Sequence, residues 1–300
     1  MGQDEVINIA ISAIVFTTMI VIGLDLTLDD FRKLFSKPKA LLVGLLGLFL
    51  LVPASIAFVR LTNLPPHLDA GILLVAICPT GNFSNVYTYV GKANTALSIT
   101  LSVTTALMAF VTMPLWIWAY SFLLDEKFTF EVPASALFVR LFFLLAIPVG
   151  LGIFIRTRFP AFERKCRRVM KHFTLVAILL LGGYIIVSDG DGFAEDFGPT
   201  ALAAIILTFI SMTVGYTLAR VSRLDKRDAR TLTVVFPVKN LGIAIAVAVS
   251  IFHQTEFAVF ATAMFMTQVP ILLAISLLFR RFPTSSPRSA TSPPPPSLRA

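Results

Sequence analysis

The chain has 300 residues, of which 56% are hydrophobic and only 14% are charged. Soluble domains carry about a quarter of their residues charged, so this composition excludes an ordinary water-soluble fold. The formal net charge of +8 would suit a nucleic-acid partner, but the basic residues cluster in a few short loops between apolar runs. Such clustering is typical of membrane topology and not of a nucleic-acid interface.

Apolar runs of about 20 residues, long enough to cross roughly 30 Å of hydrocarbon, recur along the chain. They predict an all-α polytopic membrane protein with nine transmembrane helices, at about 5–24, 38–60, 67–91, 93–123, 131–156, 165–188, 197–221, 226–252 and 255–280. We interpret the first run as a retained helix, because its acidic flank and missing small-residue cleavage site do not match a signal peptide.

The basic loops predict the orientation of the chain. Loops 24–39, 156–171 and 220–230 hold most of the 25 lysine and arginine residues, and nine spans place all three on one side. The positive-inside rule then puts the N-terminus outside and the C-terminus in the cytoplasm, and without a transit peptide we expect a plasma (inner) membrane. Residues 1–282 form the predicted transmembrane unit, and the Pro/Ser-rich residues 283–300 are predicted to be a disordered cytoplasmic tail.

Two of the predicted spans are interrupted in the middle. The third contains "CPTGNFSN", with Pro79 and Gly81, and the eighth contains "FPVKNLG", with Pro237 and Lys239. One broken helix in each half predicts a transporter made of inverted repeats, with its site where the breaks cross. A pair of ordinary proline kinks is the alternative interpretation.

Residues 20–102 resemble the bile acid:sodium symporter family. The positions that match its motif are Cys78-Pro79, Gly81, Ser84-Asn85, Lys92 and Leu97-Ser98, with Thr80 where the family has a second glycine. The segment "PVKNLGIAIAVA" is a weaker counterpart in the second half. The resemblance implies ten helices in two inverted repeats, or nine where the first helix is missing, divided into panel and core domains. The panel would take about 5–60 and part of 131–188, and the core about 67–123 and 197–280.

The resemblance also implies two sodium sites beside the crossing. The first would use four polar side chains, those of Ser84, Asn85, Ser98 and Ser102. Three further ligand positions are altered, because a glutamate is Val235 here, one glutamine is Lys239 and another is Leu48. An ammonium and a sodium ion close together would repel each other. We therefore hypothesise that Lys239 replaces a bound sodium and that no cofactor is needed.

Three other interpretations of Lys239 stay open. The side chain reaches the cytoplasm along a watery cavity, or it packs against a loop carboxylate because the alignment is displaced by a turn, or it pairs directly with an anionic substrate. A lysine at mid-membrane costs about 2.5 to 3.5 kcal/mol on insertion scales, which argues against a position without a role.

The substrate site is expected at the crossing, where the resemblance places Asn240. The predicted substrate-binding residues are Thr80, Gly81, Asn82, Phe83, Asn240 and Gln268. Half-helix N-termini suit a carboxylate or sulfonate. Family substrates include bile acids, sulfated steroids, pantoate and 2-keto acids, and we favour a carboxylate.

These features predict a secondary transporter of an organic anion that works by alternating access without sodium. The sequence has no nucleotide-binding loop, zinc cluster or Ser/His/Asp arrangement, so we expect neither an enzyme nor an ATP-driven pump. A conventional sodium symporter is the main alternative. An anion receptor and a metalloid carrier using Cys78 are the others, and uniport, exchange and proton coupling all stay open.

Overall fold

The computed structural model describes residues 13, 16–17, 19–21, 23–24, 38–62, 64–123, 139–140, 142–161, 169, 176, 183, 190–252 and 254–282. The predictions for most of residues 1–37, for nearly all of the sixth span and for the tail 283–300 lie outside this part.

Helices account for every regular element of the described residues. They are α1 (Pro38–Leu61), α2 (Pro66–Ile77), α3 (Phe83–Val90), α4 (Thr95–Leu123), α5 (Ile147–Arg158, after a π-helical turn at Phe142–Ala146), α6 (Gly190–Val221), α7 (Lys226–Val235), α8 (Leu241–Ser250) and α9 (Phe257–Arg281). Four of them, α1, α4, α6 and α9, are long and apolar enough to cross a membrane. The prediction of an all-α polytopic membrane protein is therefore confirmed.

Both interrupted spans are broken helices. Residues 78–82 separate α2 from α3, and residues 236–240 separate α7 from α8, so the two breaks have equal length. Each break contains one proline, Pro79 or Pro237, which lacks the backbone N–H that a continuing helix would need.

The long helices pack against the broken ones. Helix α9 packs on α2, α3, α6 and α8, while the main contacts of α1 are with α2, α4 and α6. The assignment of residues 38–60 to a panel domain and of the broken helices to a core stays a prediction.

Three basic segments lie at one end of this bundle. Arg230 on α7 donates hydrogen bonds to the carbonyl oxygens of Phe279, at 3.0 Å, and of Phe282, just past α9. Asn94, which precedes α4, donates from its amide to the carboxylate of Asp228 on α7 at 2.5 Å. The α3–α4 turn, the start of α7 and the end of α9 are thus tied together.

A close contact joins α5 to the helical residues before α1. A Cβ atom on Gly152 would lie 2.3 Å from the carbonyl oxygen of Ile20 and 2.7 Å from the Cα of Gly23. Arg156, one turn later, donates to the carbonyl oxygen of Leu24 at 2.5 Å. Only glycine allows the two backbones to come this close.

Gly152→Ala should therefore lower the stability of the protein. The added methyl group overlaps backbone atoms that cannot rotate away, and overpacking of this kind costs about 1–3 kcal/mol. Gly150→Ala is the matched control on the same helix, because nothing lies within 4 Å of its Cβ position. Thermal unfolding in detergent measures both, and equal melting temperatures for the two variants would contradict the contact.

Candidate functional site

The two breaks meet as a short antiparallel pair centred on Thr80 and Lys239. The N–H of Gly81 donates to the carbonyl oxygen of Val238 at 2.9 Å, and the N–H of Asn240 donates to that of Pro79 at 2.8 Å. These two bonds satisfy backbone groups that the breaks release from the helices. Within a membrane such groups have no water to bind, so the pairing is what makes the interruption tolerable.

Gly81 sets the distance between the paired segments. A Cβ atom at this position would lie 2.7 Å from the carbonyl oxygen of Lys239, which is too close for any side chain. Gly81, a predicted site residue, thus contributes by having no side chain, which lets the two paired segments come close together.

Thr105 on α4 supports the first break. Its hydroxyl oxygen accepts the N–H of Thr80 at 3.1 Å and lies 3.0 Å from the Thr80 hydroxyl oxygen. It donates in turn to the carbonyl oxygen of Leu101 at 2.8 Å. Thr105 was not among the predicted site residues, although it lies on the same face of α4 as Ser98 and Ser102, at helical spacing.

The ammonium of Lys239 binds the C-terminal end of α2. It donates to the carbonyl oxygen of Ala76 at 2.9 Å and to that of Cys78 at 3.4 Å, and the residue is only 9% exposed. Helix C-termini present unpaired carbonyl groups and a partial negative charge, so a cation is stabilised there. Among the described residues, no carboxylate forms an ion pair with this ammonium.

Cys78 completes the same helix end. Its N–H donates to the carbonyl oxygen of Val75 at 3.1 Å, and its thiol donates to that of Leu74 at 3.2 Å. The thiol is buried and already bonded, so nothing in its surroundings favours a metalloid ligand over a structural role.

The four polar side chains of the predicted first ion site lie together. The hydroxyl oxygen of Ser84 is 3.1 Å from that of Ser98 and 3.4 Å from that of Ser102. Ser98 also donates to the side-chain oxygen of Asn85 at 2.7 Å. These groups bond to one another, whereas the Lys239 ammonium bonds to the α2 carbonyl groups.

The other two altered positions are apolar and buried. Leu48 and Val235 belong to one hydrophobic cluster, together with Leu101, Leu232 and Phe236. Neither side chain offers an oxygen atom, so a cation would find no ligand at these positions.

A cavity of about 40 Å³ lies beside Lys239, between α1, the end of α2 and α4. Its lining consists of Leu45, Leu48, Phe49, Val52, Ala76, Ile77, Cys78, Pro79, Thr80, Thr105, Met108, Thr112, Trp116 and Lys239. Since one water needs about 10–15 Å³ by this measure, the cavity has room for about three water-sized groups. Its polar side chains are three threonines and the lysine, and the rest of the wall is largely apolar.

The crossing has two faces. Directly opposed residues of an antiparallel pair project to the same side, so Thr80 and Lys239 both line the cavity. The neighbouring Val238 projects to the other side, where it packs with Leu272 of α9. Of the six predicted substrate residues, Thr80 lines this cavity.

The remaining predicted substrate residues lie away from the cavity. Asn82 and Phe83 are exposed at the start of α3. Asn240 caps α8, because its side-chain oxygen accepts the N–H of Ile243 at 3.3 Å. Gln268 is buried on α9, and its side-chain oxygen has no hydrogen-bond partner among the described residues.

No group of three His, Cys, Asp or Glu side chains suited to a metal ion occurs in the part of the chain that the structure describes. The polar chemistry of the crossing thus rests on hydroxyl groups, amides, carbonyl groups and one ammonium.

Comparison with known proteins agrees with this architecture. The sequence profile of the sodium bile acid symporter family matches residues 12–196. "Probable sodium/metabolite cotransporter BASS1, chloroplastic" of Arabidopsis thaliana is 31% identical over 76% of this chain and 57% of its own length. "P3 protein" of Homo sapiens is 29% identical over 88% and 54%. "Uncharacterized sodium-dependent transporter YocS" of Bacillus subtilis is 24% identical over 84% and 77%. The chain thus spans little more than half the length of the first two relatives.

Thr105→Val should destabilise the first break. The substitution keeps the size of the side chain but leaves the Thr80 N–H without an acceptor, at a cost of about 1–3 kcal/mol. Thr104→Val is the matched control, because that hydroxyl donates back to the carbonyl oxygen of Thr100 on its own helix. A lower melting temperature in detergent for Thr105→Val alone is the expected result, and equal values for both variants would show that the bond to Thr80 contributes nothing.

Proposed function

We propose that this chain, which belongs to the sodium bile acid symporter family, is a secondary transporter that moves an organic anion by alternating access. Membership of a symporter family supports transport, and the relatives' names describe cotransporters or a transporter rather than enzymes. The pair of broken helices supports a central site that opens to each side in turn, because such breaks form transporter sites in other inverted-repeat folds.

The substrate would bind around the crossing of the breaks. Four half-helix ends converge there, those of α2, α3, α7 and α8. The N-terminal ends of α3 and α8 favour an anion, as does the ammonium of Lys239. Thr80 and Gly81 border this point directly, and we propose Asn82, Phe83, Asn240 and Gln268 as further residues that the substrate meets.

We further propose that transport does not require sodium, and the position of Lys239 is the single observation that carries this proposal. Its ammonium lies on the carbonyl oxygens of Ala76 and Cys78 and so supplies a fixed positive charge beside the crossing. A sodium ion a few ångströms away would be repelled, with little water to screen the two charges. The apolar surroundings of Leu48 and Val235 support the same conclusion, since neither position can ligate an ion.

A conventional sodium-coupled symporter is the second candidate. The joined hydroxyl and amide oxygens of Ser84, Asn85, Ser98 and Ser102 favour it, because oxygen ligands suit a hard cation. Relatives named as sodium-dependent or sodium/metabolite carriers favour it too. All four side chains are uncharged, so none supplies the negative charge that would balance a sodium ion, which is why we prefer the sodium-independent version.

For the orientation we propose an N-terminus outside and a C-terminus in the cytoplasm of a plasma (inner) membrane. The end of the bundle where Arg230 and Asn94 tie three segments together also carries Lys92, Arg280 and Arg281. A basic end of this kind faces the cytoplasm by the positive-inside rule.

Sodium should not change the thermal stability of the purified protein. A ligand that binds only the folded state raises the melting temperature, so we expect equal values when sodium chloride replaces choline chloride at constant ionic strength. Lys239→Gln should melt at a lower temperature in both salts, because a shorter uncharged amide cannot hold both α2 carbonyl groups. Lys226→Gln, at an exposed lysine on α7, controls for the loss of a positive charge as such.

A sodium-dependent rise in the melting temperature of the wild type would overturn sodium independence and favour the symporter. Uptake of taurocholate and of pyruvate by proteoliposomes, with sodium or choline outside, tests transport itself. Equal uptake in the two salts is the expected result, and binding of these anions without any uptake would indicate a receptor.

A further inference from the structure

We infer that a basic surface at one end of the bundle binds the headgroup phosphate of an anionic phospholipid. Three segments supply this surface, which we call the basic patch: Lys92 in the α3–α4 turn, Arg227 and Arg230 on α7, and Arg280 and Arg281 at the end of α9. The patch lies at the start of α7, whereas the crossing of the breaks follows its end. Lipid binding here therefore goes beyond the proposed transport function and does not depend on what the protein carries.

Hydrogen bonds from two arginines bring the three segments of the patch together. Arg227 donates to the carbonyl oxygen of Ala93 at 3.4 Å, and Ala93 directly follows Lys92. Arg230, one turn later on the same face of α7, donates to the carbonyl oxygen of Phe279 at 3.0 Å. Its guanidinium carbon also lies 5.1 Å from the centre of the Phe279 ring. These bonds hold the two guanidinium groups against the α3–α4 turn and the end of α9.

The contact between α3 and α9 places another arginine beside Lys92. A Cβ atom on Gly91 would lie 3.4 Å from the carbonyl oxygen of Ser276, so the two helices are close at this point. Arg280 follows Ser276 by four residues, so it lies one turn further along the same face of α9. Lys92 is next to Gly91 in the chain, and both basic side chains are exposed. Lys92 and Arg280 thus border the same helix contact.

The basic patch has an excess of positive charge. Two aspartates at the start of α7, Asp225 and Asp228, stand against its five basic residues, which gives a net charge of +3. Both aspartates already accept hydrogen bonds, Asp225 from the N–H of Asp228 at 2.7 Å and Asp228 from the side-chain amide of Asn94 at 2.5 Å. Four of the five basic side chains are exposed. Since guanidinium groups bind phosphate through paired charge-assisted hydrogen bonds, a phosphate group suits this surface.

The apolar residues next to the patch favour a lipid over a free phosphate ion. Helix α9 is long and apolar enough to cross a membrane, so Arg280 and Arg281 in its last turn lie at the level of the lipid headgroups. Leu277 and Leu278, in the turn before them, are 45% and 47% exposed. Basic residues at the end of a transmembrane helix attract anionic lipids. A phospholipid covers both parts of this surface, because its phosphate reaches the arginines while its acyl chains contact the leucines.

Thermal unfolding of the purified full chain in detergent tests this inference. Phosphatidylglycerol added to the micelles should raise the melting temperature by at least about 3 °C relative to phosphatidylcholine with the same acyl chains, because a ligand that binds only the folded state stabilises it. Glycerol phosphate, the soluble headgroup, should produce no such rise at the same concentration. An equal rise with glycerol phosphate would indicate a site for free phosphate and would overturn binding of a lipid.

Variants then assign the lipid to the patch. Arg280→Gln should lose at least about half of the rise caused by phosphatidylglycerol, and Arg227→Gln combined with Arg280→Gln should lose all of it, because charge-assisted bonds to the phosphate are removed. Arg158→Gln is the matched control, since Arg158 is also an exposed arginine in the last turn of an apolar helix. Arg280 is exposed, so its single variant keeps the test valid if the double variant does not fold.

Equal melting temperatures of the wild type in the two phospholipids would overturn the inference. A rise that is as large in Arg280→Gln as in Arg158→Gln would overturn it too, because the lipid would then act away from the patch. A rise that is kept in Arg158→Gln and reduced in Arg280→Gln supports the patch as the site. None of these results bears on transport of an organic anion, which the uptake experiment tests separately.

Discussion

A helix that stops inside a membrane leaves carbonyl groups that no water can bind. In this structure the ammonium of Lys239 binds the free carbonyl groups at the end of α2, and the crossing of the two broken helices depends on that interaction. The ammonium donates to the carbonyl oxygens of Ala76 and Cys78. Two backbone hydrogen bonds, from Gly81 to Val238 and from Asn240 to Pro79, join one break to the other. One side chain of the second half therefore completes a helix of the first half. The breaks stay joined, and the helices around them are positioned by that junction.

The crossing of the breaks has one charged face and one apolar face. The face with Thr80 and Lys239 borders the cavity, and the face with Val238 packs on α9. Charge is thus concentrated on one side of the crossing, next to α1 and α4, while the other side is held by close apolar packing. The charge of a lysine side chain is covalently attached, so it is present at every stage of a transport cycle. A bound ion must instead be captured from solution and released in each cycle.

Much of the fold follows from sequence patterns, because the length of apolar runs and the Pro/Gly interruptions report directly on helices and their breaks. Lys239 also stands out as a charge in an apolar run. Its partners do not, since they are backbone oxygens 161 and 163 residues away, and a backbone carbonyl carries no sequence signature. Thr105 was missed for a related reason: a threonine in a membrane helix usually bonds to its own helix, and only the three-dimensional crossing shows that it also receives the N–H of Thr80.

The bond between Lys239 and the end of α2 also affects the order in which the protein can fold during synthesis. Helix α2 has 12 residues and so extends only about 18 Å, which is too short to cross the bilayer. Its C-terminal carbonyl groups leave the ribosome some 160 residues before the lysine that binds them. The first half of the protein is therefore inserted with an unfinished helix end at mid-membrane, and it reaches its final state only when the second half arrives. The folding of the first half is therefore completed only after the second half has been synthesised.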